Sequence, residues 1–149
     1  IQTLNGKHAK APQYNETMDW LKPLILLPES NLANYNMLVI RTIAERIGLR
    51  HDHLVTSSSL GASGQATELL IDLTKRVGGD CYLCGGGAQG YLDDQAFMAA
   101  GVELCYQSFD QPIYIQHGGR GFAPGLSILD ALVNIGPRDV RELLQCHDR

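Results

Sequence analysis

The stretch HGGRGF near the C-terminal end places a histidine and an arginine, His117 and Arg120, among glycines. An arginine guanidinium is a planar fork of donors that suits carboxylates and phosphates, and a histidine ring gains or loses a proton near neutral pH. The glycines keep the backbone open around both side chains. This pattern indicates an anion-binding site with a titratable group. The alternative is an exposed loop with incidental charges.

Three glycines, Gly85, Gly87 and Gly90, satisfy the spacing G-x-G-x-x-G between a predicted strand and a predicted helix. In dinucleotide-binding proteins this spacing brings a pyrophosphate to the helix N-terminus, and Asp110 lies near the end of the next predicted strand, where a ribose-binding acid occurs. Two aspartates open the following helix, however, and their charges would repel a pyrophosphate there. A glycine-lined turn that contacts another ligand is therefore the favoured interpretation.

Hydroxyl groups occur at two further positions of interest. Ser57, Ser58 and Ser59 end a predicted strand, where α/β sheets place their ligands, although loop hydroxyls also cap turns. Ser127 and Asp130 have the residue types of a nucleophile and an acid. Because S-x-x-D before an apolar helix is typical of a capping box, we predict a capping role for that pair.

The four cysteines have no metal-binding spacing. Cys81 and Cys84 are three apart, so they point to opposite faces of a strand, and Cys105 and Cys146 stand alone. The five histidines form no metal-binding pattern either. We therefore predict buried structural thiols and no metal site, and the residues identify no cofactor.

Composition narrows the class of protein. The 149 residues suffice for one domain, and 12 Lys plus Arg against 16 Asp plus Glu give a formal charge of −4. Basic residues form no stripe, which argues against nucleic-acid binding. No apolar run approaches the roughly 18 residues of a membrane-spanning helix. Without a recognisable secretory signal, the cysteines favour reduced thiols and a cytoplasmic location.

Hydrophobic periodicity predicts the order of elements. Residues 1–14 are polar and are expected to be an extended entry or the tail of an earlier element, and a helical pattern follows over 15–27 that Pro23 would kink or restart. Further helices are predicted over 34–47, stopped by Gly48, and over 63–77, capped by Ser63. The remaining predicted elements are a strand in HLVTSSSL (53–60), a strand in CYLC (81–84), a short helix in DDQAFMAAG (93–101), a strand in VELCYQSF (102–109) and two C-terminal helices separated by Gly136 and Pro137.

Alternating strands and helices in the middle of the chain are typical of βαβ units. We therefore predict a single α/β domain over residues 1–149 with three layers, in which a mostly parallel, Rossmann-like sheet lies between flanking helices. The ligand site would be formed by loops that follow the strands, at residues 57–59, 85–90 and 110–120.

Five segments together resemble the WbqC-like protein family. They are KAPQY at 10–14, NYNMLVIRTIAERIGL at 34–49, SSL at 58–60, YLCGGGAQGYLD at 82–93 and YIQHGGRGFAPGLSILDALVNIG at 114–136. Proteins similar to this family usually begin with a segment of the type HQPxYLPWxGYF, which is absent from this sequence. The resemblance therefore implies that the chain is the C-terminal part of a longer protein whose preceding segment contributes to the site.

The resemblance implies a role in bacterial surface-polysaccharide (O-antigen) biosynthesis, in which an activated sugar is modified. It also implies that Tyr82, Gly85 and Tyr91 line a strand-to-helix turn at the ligand edge of the sheet. In this interpretation Arg120 binds an anionic group and His117 acts as acid or base.

The leading hypothesis is a transferase that acts on a small molecule such as a nucleotide sugar, with Tyr91 and Gln116 orienting it. The proposed ligand contacts are Ser57, Ser58, Tyr82, Gly85, Gly87, Tyr91, Asp110 and Gln116. One alternative is a non-catalytic binding or scaffold subunit of a polysaccharide assembly system, and another is a dinucleotide-binding oxidoreductase. Homo-oligomer formation is left open.

Overall fold

The computed structural model describes residues 1–118 and 121–145, and the chain divides into two compact units. Unit 1 comprises Ile1–His53 and Gln111–Arg149, and unit 2 comprises Leu54–Asp110. The helices and strands are, in chain order, α1 (Gln2–His8), α2 (Tyr14–Ile25), α3 (Leu32–Arg46), α4 (Ala66–Arg76), β1 (Cys81–Gly85), α5 (Asp94–Ala99), β2 (Glu103–Gln107) and α6 (Ile128–Gln145). Two short 3₁₀ turns occur at Ser57–Leu60 and Gly86–Ala88.

Unit 1 is helical, and its core lies where α2 and α6 meet. Leu132 and Val133 on α6 are almost fully buried, and Met18 and Leu21 on α2 pack with Val133. Leu132 belongs to a second cluster with Ile47, which follows α3. Apolar residues at helical spacing thus give each helix one buried face.

Helix α6 is interrupted at Gly136, and residues at the start of α2 bind two carbonyl groups just before the interruption. Gly136 has φ 79° and ψ 168°, and Pro137 has no N–H to donate back to Val133. The main-chain N–H of Gln13 donates to the Val133 carbonyl at 3.0 Å instead, and the Thr17 hydroxyl donates to the Leu132 carbonyl at 3.2 Å. The break therefore fixes how α2 and α6 pack.

Unit 2 contains a β1–α5–β2 unit with parallel strands. Cys81 pairs with Glu103 and Gly85 with Gln107. Helix α5 covers one face of this pair, where Phe97 is fully buried and stacks on Tyr82 with ring centroids 5.5 Å apart. The observed crossover through a helix is the connection that parallel strands require.

Several sequence predictions are confirmed. Helix α3 is followed by Gly48 with φ 68°, both strands lie in the predicted segments, and the C-terminal helices separate at Gly136. The helix predicted over 15–27 is also confirmed, since α2 runs through Pro23 to Ile25. Others are wrong. Residues Gln2–His8 form α1, so the extended alternative for this segment does not hold, and Ser63 is not the cap of α4, because α4 begins at Ala66 with Gln65 as its N-cap.

The strand predicted in HLVTSSSL is also wrong. Ser57–Leu60 form a 3₁₀ turn in which the main-chain N–H and the hydroxyl of Ser59 both donate to the Thr56 carbonyl. Serine hydroxyls compete with strand pairing by bonding the local backbone, and here the local bond prevails.

The prediction of a mixed α/β chain with parallel strands is confirmed. Within the described residues the sheet has two strands, β1 and β2, so the three-layer, Rossmann-like arrangement stays a prediction. Among the same residues, no helix combines the length and the apolar character needed to cross a bilayer.

Candidate functional site

Two polar residues interrupt the apolar face of α6 in unit 1. Asp130 and Asn134 are four residues apart, so helical geometry places them on the same face, one turn from each other. They are 8% and 3% exposed. The Asn134 side-chain N–H donates to the Asp130 carbonyl at 2.7 Å, which fixes the amide orientation. We call these two residues and the side chains connected to them the α6 network: His8, Tyr114, Gln116, His117, Asp130 and Asn134. Gln116 is connected through Tyr114.

Asn134 holds the histidine that the sequence singled out. Its side-chain oxygen accepts the main-chain N–H of His117 at 2.8 Å and lies 3.3 Å from His117 Nδ1. An amide oxygen can only accept, so a neutral His117 ring that donates to it carries its proton on Nδ1. The lone pair then resides on Nε2 of an exposed residue. His117 is therefore arranged to accept a proton at Nε2.

Asp130 contacts two side chains from other parts of unit 1. Its Oδ2 accepts the Tyr114 hydroxyl at 2.8 Å, and its Oδ1 lies 3.6 Å from Nδ1 of His8, the last residue of α1. Among the described residues, none hydrogen-bonds this buried His8 nitrogen. The contact therefore places an imidazole nitrogen beside a buried carboxylate.

Gln116 closes the loop that carries His117. Its side-chain N–H donates to the Ala123 carbonyl at 3.0 Å, and its side-chain oxygen accepts the Ala123 N–H at 2.7 Å. The same nitrogen lies 3.3 Å from the Tyr114 hydroxyl. Gln116 therefore holds the loop that presents His117, and its role in orienting a substrate stays a prediction.

The surroundings of Tyr114 keep its hydroxyl protonated. Burial raises the pKa of Tyr114 above its ordinary value; the hydrogen bond from Gln116 lowers that pKa, and the bond to Asp130 raises it. Phe122 packs edge-on against the ring, with centroids 5.4 Å apart. Tyr114 is thus a donor to Asp130 and not a candidate base.

In unit 2, the predicted ligand residues that follow the strands lie at the carboxyl edge of the sheet. Gly85 ends β1, Gly87 lies in the 3₁₀ turn after it, and Asp110 follows β2 by three residues. A Cβ at Gly86 would lie 3.3 Å from the Gln107 carbonyl, so this turn passes close to β2. Tyr91 is 85% exposed. The structure thus brings the glycine turn and the end of β2 to one edge.

Ser57 and Tyr82 line an open groove of about 320 Å³ in unit 2, together with Leu60, Leu73, Val77 and Cys81. Ser58 is exposed beside Ser57 but does not line this groove. We expected the serines to follow a strand, and they do not. Two of the predicted ligand contacts, Ser57 and Tyr82, are nevertheless neighbours in the fold.

The thiols of unit 2 are arranged differently from the prediction. Cys81 and Cys84 lie on opposite faces of β1, as predicted, but Cys81 is exposed, so the prediction of buried thiols is wrong for Cys81 and holds for Cys84. Cys105 does not stand alone, because its Sγ lies 3.1 Å from Cys81 Sγ. The contact with Cys81, followed by burial and the nearby Glu103, raises the pKa of the Cys105 thiol to about 12.

Sequence reasoning missed four members of the α6 network: His8, Tyr114, Asp130 and Asn134. We interpreted Asp130 as a capping residue, but its carboxylate binds Tyr114, while Ser127 alone caps the helix through a 3.3 Å bond to the Leu129 N–H. The i, i+4 pair Asp130 and Asn134 inside the apolar stretch LDALVNI was the signal that could have found them. His8 had no such signal. Arg120 lies outside the described residues, as does Cys146.

Comparison with known proteins identifies the family. The WbqC-like protein family matches residues 1–142. The chain belongs to that family. A similar protein is the uncharacterized protein Rv1507c of Mycobacterium tuberculosis, 26% identical over 146 residues, which are 97% of this chain and 63% of that protein. The chain thus spans less than two thirds of this relative's length. No solved structure matches this chain. The WbqC-like match contains the whole α6 network and both strands.

Proposed function

We propose that this WbqC-like protein is a transferase that acts on an activated sugar in the biosynthesis of bacterial surface polysaccharide, with His117 as its general base. The observation that carries the proposal is the contact between His117 and Asn134. Because Asn134 fixes the proton on Nδ1, the Nε2 lone pair is available to an incoming nucleophile.

In the proposed reaction, a hydroxyl or amino group of one substrate gives its proton to His117 Nε2 as it attacks the activated carbon of the other. Arg120 binds the anionic leaving group, since its guanidinium suits phosphate oxygens. The Asp130–His8 pair supplies a second imidazole beside a carboxylate, suited to receive or return a proton.

Membership of the family supports a role in polysaccharide-related biosynthesis, but it does not support the transferase step itself. The O-antigen, the nucleotide sugar and the cytoplasmic location belong to the proposal. So do the three-layer, Rossmann-like sheet and the contacts of unit 2: Ser57, Ser58, Tyr82, Gly85, Gly87, Tyr91 and Asp110.

Two measurements on one set of variants test the proposal. Thermal stability is measured with nucleotide sugars, acyl-CoAs, NAD and NADP, since a ligand at 100 times its Kd stabilises a protein by about 2.7 kcal/mol. Turnover of any stabilising donor is then followed by release of its leaving group. We expect Arg120→Ala to abolish the stabilisation. We expect His117→Gln to retain it while turnover falls by about 10²–10⁴-fold.

Matched controls are His53→Gln and Arg138→Ala, which alter exposed side chains outside the α6 network. Added imidazole should partly restore turnover to His117→Ala but not to Arg120→Ala. Unchanged turnover in His117→Gln would disprove the role of His117. Stabilisation by NAD or NADP alone would favour the oxidoreductase, and a specific protein complex without any small ligand would favour the scaffold subunit.

A further inference from the structure

The register of the β1–β2 pair places three metal-binding side chains on one face of unit 2. Cys81 pairs with Glu103, and Cys105 lies two residues farther along β2, so all three side chains share a face. Their ligand atoms lie within 4.8 Å of one another. Cys84 lies on the opposite face and is buried. The cluster is assembled by strand pairing and not by spacing along the sequence.

A disulfide between Cys81 and Cys105 does not suit this geometry. Neighbouring strands lie about 4.8 Å apart and two residues advance about 6.6 Å, so the two Cα atoms are about 8 Å apart. A disulfide requires Cα atoms within about 7 Å. The sulfur atoms, 3.1 Å apart, are therefore close in space but belong to backbone positions that an unstrained disulfide cannot join.

A bridging metal ion tolerates the longer backbone separation. Tetrahedral zinc, with Zn–S bonds of about 2.3 Å, sets its sulfur ligands about 3.8 Å apart. The two thiols reach that separation by moving apart by about 0.7 Å, which is within side-chain rotation. Glu103 supplies an oxygen, and its main-chain N–H donates to the Asp80 carbonyl at 2.8 Å, which anchors the end of the strand pair.

We propose that Cys81, Glu103 and Cys105 bind a thiophilic divalent cation, Zn²⁺ by preference, with the fourth coordination position open to solvent. Thiolate and carboxylate groups are established zinc ligands, and three protein ligands with one open position are typical of zinc sites that take water or substrate. Cys81 and Glu103 are exposed, so the ion can enter directly from solvent. On binding, the thiols release their protons, and the sulfur electron pairs form the bonds to the metal.

Cobalt titration of the full chain, stripped of metal and kept reduced, tests this site. Co²⁺ bound by thiolates gives a near-ultraviolet charge-transfer band. We expect the band to saturate at one Co²⁺ per chain and to disappear on addition of Zn²⁺. The Cys81→Ser and Cys105→Ser variants should lose the band, and Glu103→Gln should weaken the affinity by at least about tenfold, the lower range seen when a metal site loses even a supporting group.

The control is the double variant Cys84→Ser/Cys146→Ser, which leaves Cys81 and Cys105 as the two thiols of the chain. It should retain the full band, with a circular dichroism spectrum like that of the wild type. The proposal is overturned if the wild type gives no thiolate band, or if the band survives loss of Cys81 or Cys105. It is also overturned if peptide mapping after mild oxidation finds the two cysteines joined, since the geometry predicts that they stay apart.

Discussion

The polar groups on α6 and those on the β1–β2 sheet differ in how fully their hydrogen bonds are satisfied. On α6, Asp130 and Asn134 are buried, and each binds a loop residue through defined donors and acceptors. On the sheet, Cys81 and Glu103 are exposed, and the sulfur contact is the main interaction of the cluster.

This difference separates two kinds of site. Buried groups with defined donors and acceptors hold a proton on a chosen atom, which suits proton transfer. Exposed ligand groups that gather on one face without such bonds suit an ion, which brings its own charge and sets its own geometry. The comparison leads to different expectations for mutations in the two units.

The largest expected difference is in stability. Asp130→Ala removes the acceptor of the Tyr114 hydroxyl, and leaving such a group unsatisfied costs about 1–3 kcal/mol. Glu103→Ala, on an exposed face, should change the free energy of unfolding by no more than about 0.5 kcal/mol in the absence of metal. Urea unfolding measures both, and Asp130→Asn, which keeps an acceptor, should fall between them. Equal losses for Asp130→Ala and Glu103→Ala would remove the distinction.

Two buried threonines sharpen the comparison. Thr17, on α2, donates to the Leu132 carbonyl of α6 and so joins two helices that are far apart in sequence. Thr74 donates to the Leu70 carbonyl, four residues earlier in α4, which the helix already satisfies. Thr17→Val should therefore cost about 0.5–1.5 kcal/mol, the net contribution of a typical hydrogen bond, and Thr74→Val less than about 0.5 kcal/mol. Denaturant unfolding of the two variants would contradict this reasoning if the order were reversed.

The smallest expected effects concern pH and have opposite signs in the two units. The raised pKa of Tyr114 contributes stability below its ordinary value of about 10, and that contribution is lost as the pH rises through the folded value. The pKa of Asp72 is lowered by the Ser63 N–H and then by Arg76, so its contribution is present above about 3.9 and is lost as the pH falls.

Tyr114→Phe should flatten the alkaline side of a stability–pH curve, and Asp72→Asn should flatten the acid side. Stability measured by denaturant unfolding at each pH checks both. A Tyr114→Phe curve that still follows the wild type above pH 10 would show that the tyrosine is not the group involved.

The sequence predicted local features better than those that depend on distant partners. Gly48 and Gly136 stop helices through their own backbone freedom, so their positions were predictable. The role of Asp130 depends on Tyr114 and His8 arriving from other segments, and the contact between the Cys81 and Cys105 sulfur atoms depends on strand register. Neither relation appears in the spacing of residues along the chain.

The most direct test of the central claim is the protonation state of the His117 ring, read from ¹⁵N NMR of histidine-labelled protein at a pH where the ring is neutral. The account predicts a protonated Nδ1 and a proton-free Nε2, with this pattern lost in Asn134→Ala. A neutral ring that carries its proton on Nε2 in the wild type would contradict it, because the lone pair would then lie on Nδ1, beside Asn134, and Nε2 could not accept a proton.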